Sequence, residues 1–248
     1  MKIVAIGGGE IGRPGYPIET TKIDKEIISL TGEKYPRLLF IPTASSDSES
    51  YFEVVQKYFG KKLGCKTDIL CLIKDKLNKI QIEEKIFNSD IIYVGGGNTA
   101  KLMRVWKKNE LDKILKKAGK KGIILSGLSA GSICWFKYGL SDSRKFNNPK
   151  AKLIKVKGLG FINALHCPHY DFEASRKKEL KQMMKKTSGV AIAIDNCCAI
   201  EFIDDQYRVI SSKRGANAYK VYWKENKFYE EIILQGRKQN SLFEILTK

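Results

Sequence analysis

The chain has 248 residues, 43% of them hydrophobic, and a formal net charge of +18. That length carries one large α/β domain or two small ones with an ordinary buried core, and no stretch approaches the ~18 continuous apolar residues that a membrane helix needs. The first apolar run, at 2–6, meets glycines and Glu10 too early to form a signal-peptide core, so a cytoplasmic protein with no membrane partner is expected.

Six cysteines (Cys65, Cys71, Cys134, Cys167, Cys197, Cys198) are scattered without a C-x-x-C pair or histidines at zinc-finger spacing. Free thiols and no metal site are the expectation. The excess charge is lysine, because arginine occurs only at 13, 37, 104, 144, 176, 208, 214 and 237. Lysine pairs such as Lys61-Lys62, Lys116-Lys117 and Lys185-Lys186 fall in or beside amphipathic stretches, the pattern of solvated helix faces rather than of a nucleic-acid surface. A homodimer is compatible with the sequence.

In chain order, short apolar runs at 3–6, 38–41, 68–72, 90–94 and 122–125 alternate with helical patterns near 20–31, 49–63, 79–87 and 99–118, with another at 173–187. This alternation is that of βαβ units around a mainly parallel sheet. Strands at 190–194, 199–203, 207–210, 218–223 and 228–234 follow, broken by Asp204-Asp205, Lys213-Arg214-Gly215 and Lys224-Glu225-Asn226. β-hairpins completing one domain over 1–248 are the simplest account of them.

Gly7-Gly8-Gly9-Glu10-Ile11-Gly12 formally matches G-x-G-x-x-G, but Pro14, Gly15 and Pro17 follow where a dinucleotide site needs a helix. A Gly-rich loop at the end of the first strand is expected instead. Gly95-Gly96-Gly97-Asn98-Thr99 comes after a buried-looking strand and before a strong helical pattern. Consecutive glycines let N–H groups face a site, and Asn98 or Thr99 can cap the helix. Gly127-Leu128-Ser129-Ala130-Gly131 follows the apolar run at 122–125 directly. This is the nucleophile-elbow pattern, in which only small neighbours tolerate the sharp turn that exposes the serine Oγ.

A serine nucleophile needs a base, and the only histidines are His166 and His169. His169 follows Pro168 at the end of an extended segment, where catalytic groups collect, and is preferred. For the acid that orients the imidazole, Asp142 lies between serine and histidine; Asp171 and Glu201 are competitors.

Gly95-Gly96-Gly97-Asn98-Thr99, Gly127-Leu128-Ser129-Ala130-Gly131 and Cys167-Pro168-His169-Tyr170 together resemble the peptidase E and cyanophycinase family, serine hydrolases on a class I glutamine amidotransferase-like fold. The likeness runs from the first strand to Ile203 and includes Ala193-Ile194-Asp195-Asn196. It implies an α/β three-layer, flavodoxin-like sandwich with a mainly parallel sheet. It further implies Ser129 as nucleophile, His169 as base, Asp142 as acid, and the N–H groups of Gly96 or Gly97 and Ala130 as the oxyanion hole. Arg176 matches, at a shorter spacing, an arginine that binds an N-terminal aspartate in the family's aspartyl dipeptidases; Asn98 joins it as a substrate-binding candidate. The expected activity is hydrolysis of a short peptide, with an N-terminal aspartate in view, and no metal or organic cofactor. The alternative is a catalytically idle amidotransferase-like binding module.

Overall fold

The computed structural model describes residues 1–172, 174–236 and 238–248. Glu173, the first residue of the helix expected at 173–187, and Arg237 lie outside the described residues. Strand β1 (Lys2–Ile6) leads through α1 (Thr21–Ser29) to β2 (Arg37–Ile41), and α2 (Glu49–Val55), continued by a π-helical segment Gln56–Lys62, leads to β3 (Lys66–Ile69). Helix α3 (Lys79–Phe87) precedes β4 (Ile91–Val94), and α4 (Thr99–Lys108) and α5 (Leu111–Lys120) precede β5 (Ile124–Leu128). After a single turn of helix, α6 (Ala130–Ile133), come β6 (Phe136–Ser141), β7 (Ile154–Lys157), β8 (Ile162–Cys167) and α7 (Ala174–Met184). The chain closes with β9 (Ala191–Ile194), β10 (Cys198–Ile203), β11 (Gln206–Ser211), β12 (Ala218–Lys224), β13 (Lys227–Ile233), β14 (Asn240–Ser241) and α8 (Leu242–Leu246).

The first sheet has the order β14-β11-β10-β1-β5-β4-β2-β3, and its five strands from β1 to β3 are parallel. Every residue of β4 and β5 is buried, the mark of parallel strands covered on both faces. Alternation along β1 sends Val4 and Ile6 to a core shared with Ile23 and Ile27 of α1 and Val55 of α2. Ile3 and Ala5 face the opposite core, with Leu102 and Trp106 of α4 and Ile114 of α5. This is the expected mainly parallel α/β sandwich.

The region after the elbow differs from the simple expectation. A second sheet, β13-β12-β9-β8-β6-β7, joins the core through Ile162, Ala164, Ile192 and Ile194, while Leu165, Ala191 and Ala193 turn to Leu180 and Met184 of α7. The two C-terminal hairpins therefore complete different sheets: β10 and β11 extend the first, β12 and β13 the second. The helix expected over 99–118 is also two helices. Continuing the Leu102, Trp106 stripe would bring Glu110 to the buried face; Glu110 instead takes a left-handed φ of 52°, and the apolar stripe restarts at Leu111. Among the described residues no helix is long and apolar enough to cross a membrane. All six cysteines are free and buried.

Beneath the first sheet, fully buried Asp24 accepts hydrogen bonds from Thr20 Oγ1 at 2.6 Å and Tyr58 Oη at 2.8 Å. Burial pushes its carboxyl up to about 7. The folded state then binds the proton more tightly than the unfolded chain, so this contribution to stability is complete below the ordinary aspartate pKa and is lost as pH rises through about 7. Asp24→Asn is expected to flatten the fall in stability between pH 4 and pH 8, gaining a few kcal/mol relative to wild type at the alkaline end, as read from urea midpoints.

Candidate active site

The elbow is built by steric necessity. A Cβ on Gly127 would lie 2.3 Å from the Gly131 carbonyl oxygen, and one on Gly131 would lie 2.0 Å from that of Val94. Between them Ser129 adopts φ 57° and ψ −111°, and its N–H donates to the Ile6 carbonyl at the end of β1 at 3.1 Å. The Ser129 carbonyl accepts the N–H groups of Ser132 and Ile133, both at 3.0 Å, and lies 2.7 Å from Ser132 Oγ.

The two histidines divide sharply. His166 is fully buried, stacks on Phe136 with centroids 4.5 Å apart, and places Nδ1 2.9 Å from the Ile192 carbonyl and Nε2 2.8 Å from Ser132 Oγ. Burial holds its pKa down at about 3, so the ring is neutral and braces the elbow from below. His169 stands above it with a left-handed φ of 53°, its N–H bonded to the Gly7 carbonyl at 3.1 Å. Its Nε2 lies 2.8 Å from Ser129 Oγ and its Nδ1 2.7 Å from Asn196 Oδ1. Since an amide oxygen only accepts, Nδ1 carries the proton and Nε2 is free to receive the serine hydroxyl's.

The His–Asn pair fits because position 8 has no side chain. A Cβ on Gly8 would fall 1.9 Å from Asn196 Oδ1 and 2.3 Å from His169 Nδ1. The first glycine cluster is thus a niche for these two side chains. Asn196 itself is held by its N–H, which donates to Asp171 Oδ1 at 2.8 Å, and by the next residue, whose N–H donates to the Gly8 carbonyl at 2.8 Å. Burial lowers the His169 pKa; the Asn196 bond opposes this, Arg176 reinforces it, and Asp142 and Asp171 oppose it more weakly.

The structure brings Ser129 and His169 together but puts none of the three candidate acids on the imidazole. Asp142, at the end of β6, approaches the buried guanidinium of Arg176 at 3.6 Å and reaches His169 only through its field. Asp171 acts on the Asn196 backbone, and Glu201 is bound to Arg208 at 2.6 Å and to Gln239 at 2.7 Å. The expectation for Asp142 therefore gives way to Asn196, which meets Nδ1 because the β9–β10 turn folds back over β1. Its one sequence signal was a polar residue just past a buried strand, within the segment similar to the family. Asn98 likewise departs from the role expected of it: Oδ1 caps α4 by accepting the Lys101 N–H at 2.9 Å, and Nδ2 donates to the Ser143 carbonyl at 3.2 Å. Its polar atoms serve the fold.

Gly96 lies against the serine, a Cβ there being 3.5 Å from Ser129 Cβ. Among the described residues the N–H groups of Gly97 and Ala130 donate to nothing, and that of Gly96 makes one long bond, 3.4 Å, to Tyr51 Oη. Gly96, Leu128, His169, Asn196, Asp142 and Arg176 line a cleft of about 1430 Å³. Among the described residues no cluster of histidine, cysteine or carboxylate side chains is arranged to hold a metal ion. Gly8→Ala is expected to leave a folded chain, seen by circular dichroism, whose Ser129 reacts with a fluorophosphonate on the order of 100-fold more slowly, because the imidazole loses its place by about 1 Å.

Comparison with known proteins agrees with this fold. The profile described as Peptidase family S51 matches residues 3–210. The uncharacterized peptidase YgaJ of Bacillus subtilis (strain 168) is 36% identical over 233 residues, covering 92% of this chain and 95% of its own. The crystal structure of a peptidase from an acI-B1 Actinobacterium superposes with a TM-score of 0.71 at 20% identity, covering 97% of this chain and 96% of that one. A structure assigned to peptidase E from Listeria monocytogenes EGD-e gives 0.62 at 20% identity over 85% of this chain and 98% of its own. At that identity the two structures speak for the shared fold alone, whereas the profile and the Bacillus relative span the elbow, both histidines and the β9–β10 turn: the chain belongs to peptidase family S51, a family of serine peptidases.

Proposed function

We propose that the protein hydrolyses short peptides through an acyl-enzyme on Ser129, with preference for an N-terminal aspartate. The observation that carries this reading is the 2.8 Å contact between Ser129 Oγ, on a strained elbow, and Nε2 of His169, which lines the cleft. His169 takes the hydroxyl proton as Oγ attacks the scissile carbonyl, then returns it to the leaving amine; water reverses the sequence to release the acid. Asn196 holds the tautomer that this requires. The N–H groups of Gly96, Gly97 and Ala130 are the donors available for the tetrahedral oxyanion.

An amide partner carries no charge to stabilise the imidazolium. That work falls to the fields of Asp142 and Asp171, which favour the protonated ring. Arg176 supports the preference for aspartate as a buried guanidinium in the cleft wall, and the net charge of +18 draws anionic substrates toward the protein.

Mass-spectrometric assay of dipeptides tests this reading. Asp-Leu should be cleaved faster than Ala-Leu, and Ser129→Ala should lose at least ~10⁴-fold in kcat; a Ser129→Ala protein as active as wild type overturns the mechanism. Equal rates for the two dipeptides overturn only the aspartate preference. Because His169 acts as a neutral base with a depressed pKa, the acid limb of kcat/KM should fall below pH 6.5, the ordinary histidine value. Asn196→Asp places an anion beside the imidazolium and should move that limb to higher pH. Asn196→Ala should lower kcat/KM by on the order of 100-fold.

A further inference from the structure

Tyr51 stands beside the oxyanion turn with its own hydroxyl proton uncommitted. Its Oη accepts the Gly96 N–H at 3.4 Å, and among the described residues nothing accepts from it. The ring is firmly held. It packs edge-on against Phe40 with centroids 4.9 Å apart, its Cε1 lies 3.0 Å from where a Cβ on Gly95 would be, and its backbone N–H is capped by Ser48 Oγ at 3.3 Å. It lines the cleft together with Gly96 and Leu128, the residue before the serine.

Resting on the serine-peptidase reading above, we propose that Tyr51 is a further oxyanion donor. An oxyanion about 2.9 Å from the Gly96 nitrogen and about 2.7 Å from Tyr51 Oη satisfies ordinary hydrogen-bond lengths to both. The observed separation of 3.4 Å between those two atoms leaves room for that triangle. In the resting protein the Gly96 N–H uses the phenol oxygen as a weak stand-in acceptor. When the carbonyl carbon becomes tetrahedral, the N–H passes to the new anion and the phenol rotates its O–H toward it, so both bonds strengthen only as negative charge develops. Burial pushes the phenol up to about 12, so the proton to be donated is present throughout the working range.

Tyr51→Phe keeps the ring and its packing and removes only the hydroxyl. The expected result is a fall in kcat on the order of 100-fold with KM within about twofold, and a comparable slowing of Ser129 labelling by an alkyl fluorophosphonate, whose phosphoryl oxygen occupies the same position. Thermal unfolding checks that the variant is intact. A variant that labels and turns over as fast as wild type, or faster because the phenol had merely been blocking Gly96, overturns the proposal and leaves the serine mechanism standing. A folded wild-type protein that the fluorophosphonate does not label overturns the serine-peptidase reading, and the role of Tyr51 with it.

Discussion

At the carboxyl end of β1 three consecutive carbonyls receive N–H groups from three distant parts of the chain. Ile6 accepts from Ser129, Gly7 from His169 and Gly8 from Cys197, all between 2.8 and 3.1 Å. A single backbone rail thereby sets the spacing of the elbow, of the turn after β8 and of the turn between β9 and β10. The side chains that face one another across it, Ser129, His169 and Asn196, are in register because these main-chain bonds are. Glycine at position 8 is the condition for this arrangement, since any side chain there would occupy the space of the imidazole and the amide.

The arrangement is strained at each of its three joints. Ser129, His169 and Cys197 are non-glycine residues with φ between 53° and 60°. Each such residue costs on the order of 1–3 kcal/mol, a cost borne only where surrounding structure over-determines the backbone. Here the surroundings are two sheets that meet. β5 and β1 belong to the first, β8 and β9 to the second, and His166 links them by touching Ser132 on one side and the Ile192 carbonyl on the other. A neutral, fully buried imidazole suits that bracing role, as a charged one there would be costly to desolvate. The outcome is a preorganised site that needs little rearrangement before reaction.

Charge is deployed at a distance from the imidazole. An asparagine at Nδ1 fixes orientation, while Asp142 and Asp171 act through their fields and Arg176 pulls the other way. This separates holding the ring from setting its basicity, two tasks that one carboxylate performs in an acid-containing triad. Asp142 also neighbours Arg176, so the cleft pairs the group that would read an acidic substrate with a group that moderates its charge.

Local features were readable from the chain alone because their causes are local. The buried runs of β1, β4 and β5, the capping Asn98 before α4, and the small residues around Ser129 each follow from sterics or periodicity over a few positions. So did the glycine turn at 95–97, and the restriction of the base to two histidines. What the sequence could not specify depended on contacts between segments far apart along it. The second sheet arises from strands separated by a helix and long loops. The preference for His169 over His166, drawn from its place after Pro168, agrees with the end of β8 that faces the elbow. The partner of Nδ1 comes from a turn 27 residues further on, brought back by pairing of β10 with β1. Spacing favoured Asp142 for that place, but strand register decided it for Asn196, because hydrogen-bond partners are set by the packing of backbones and not by distance in sequence.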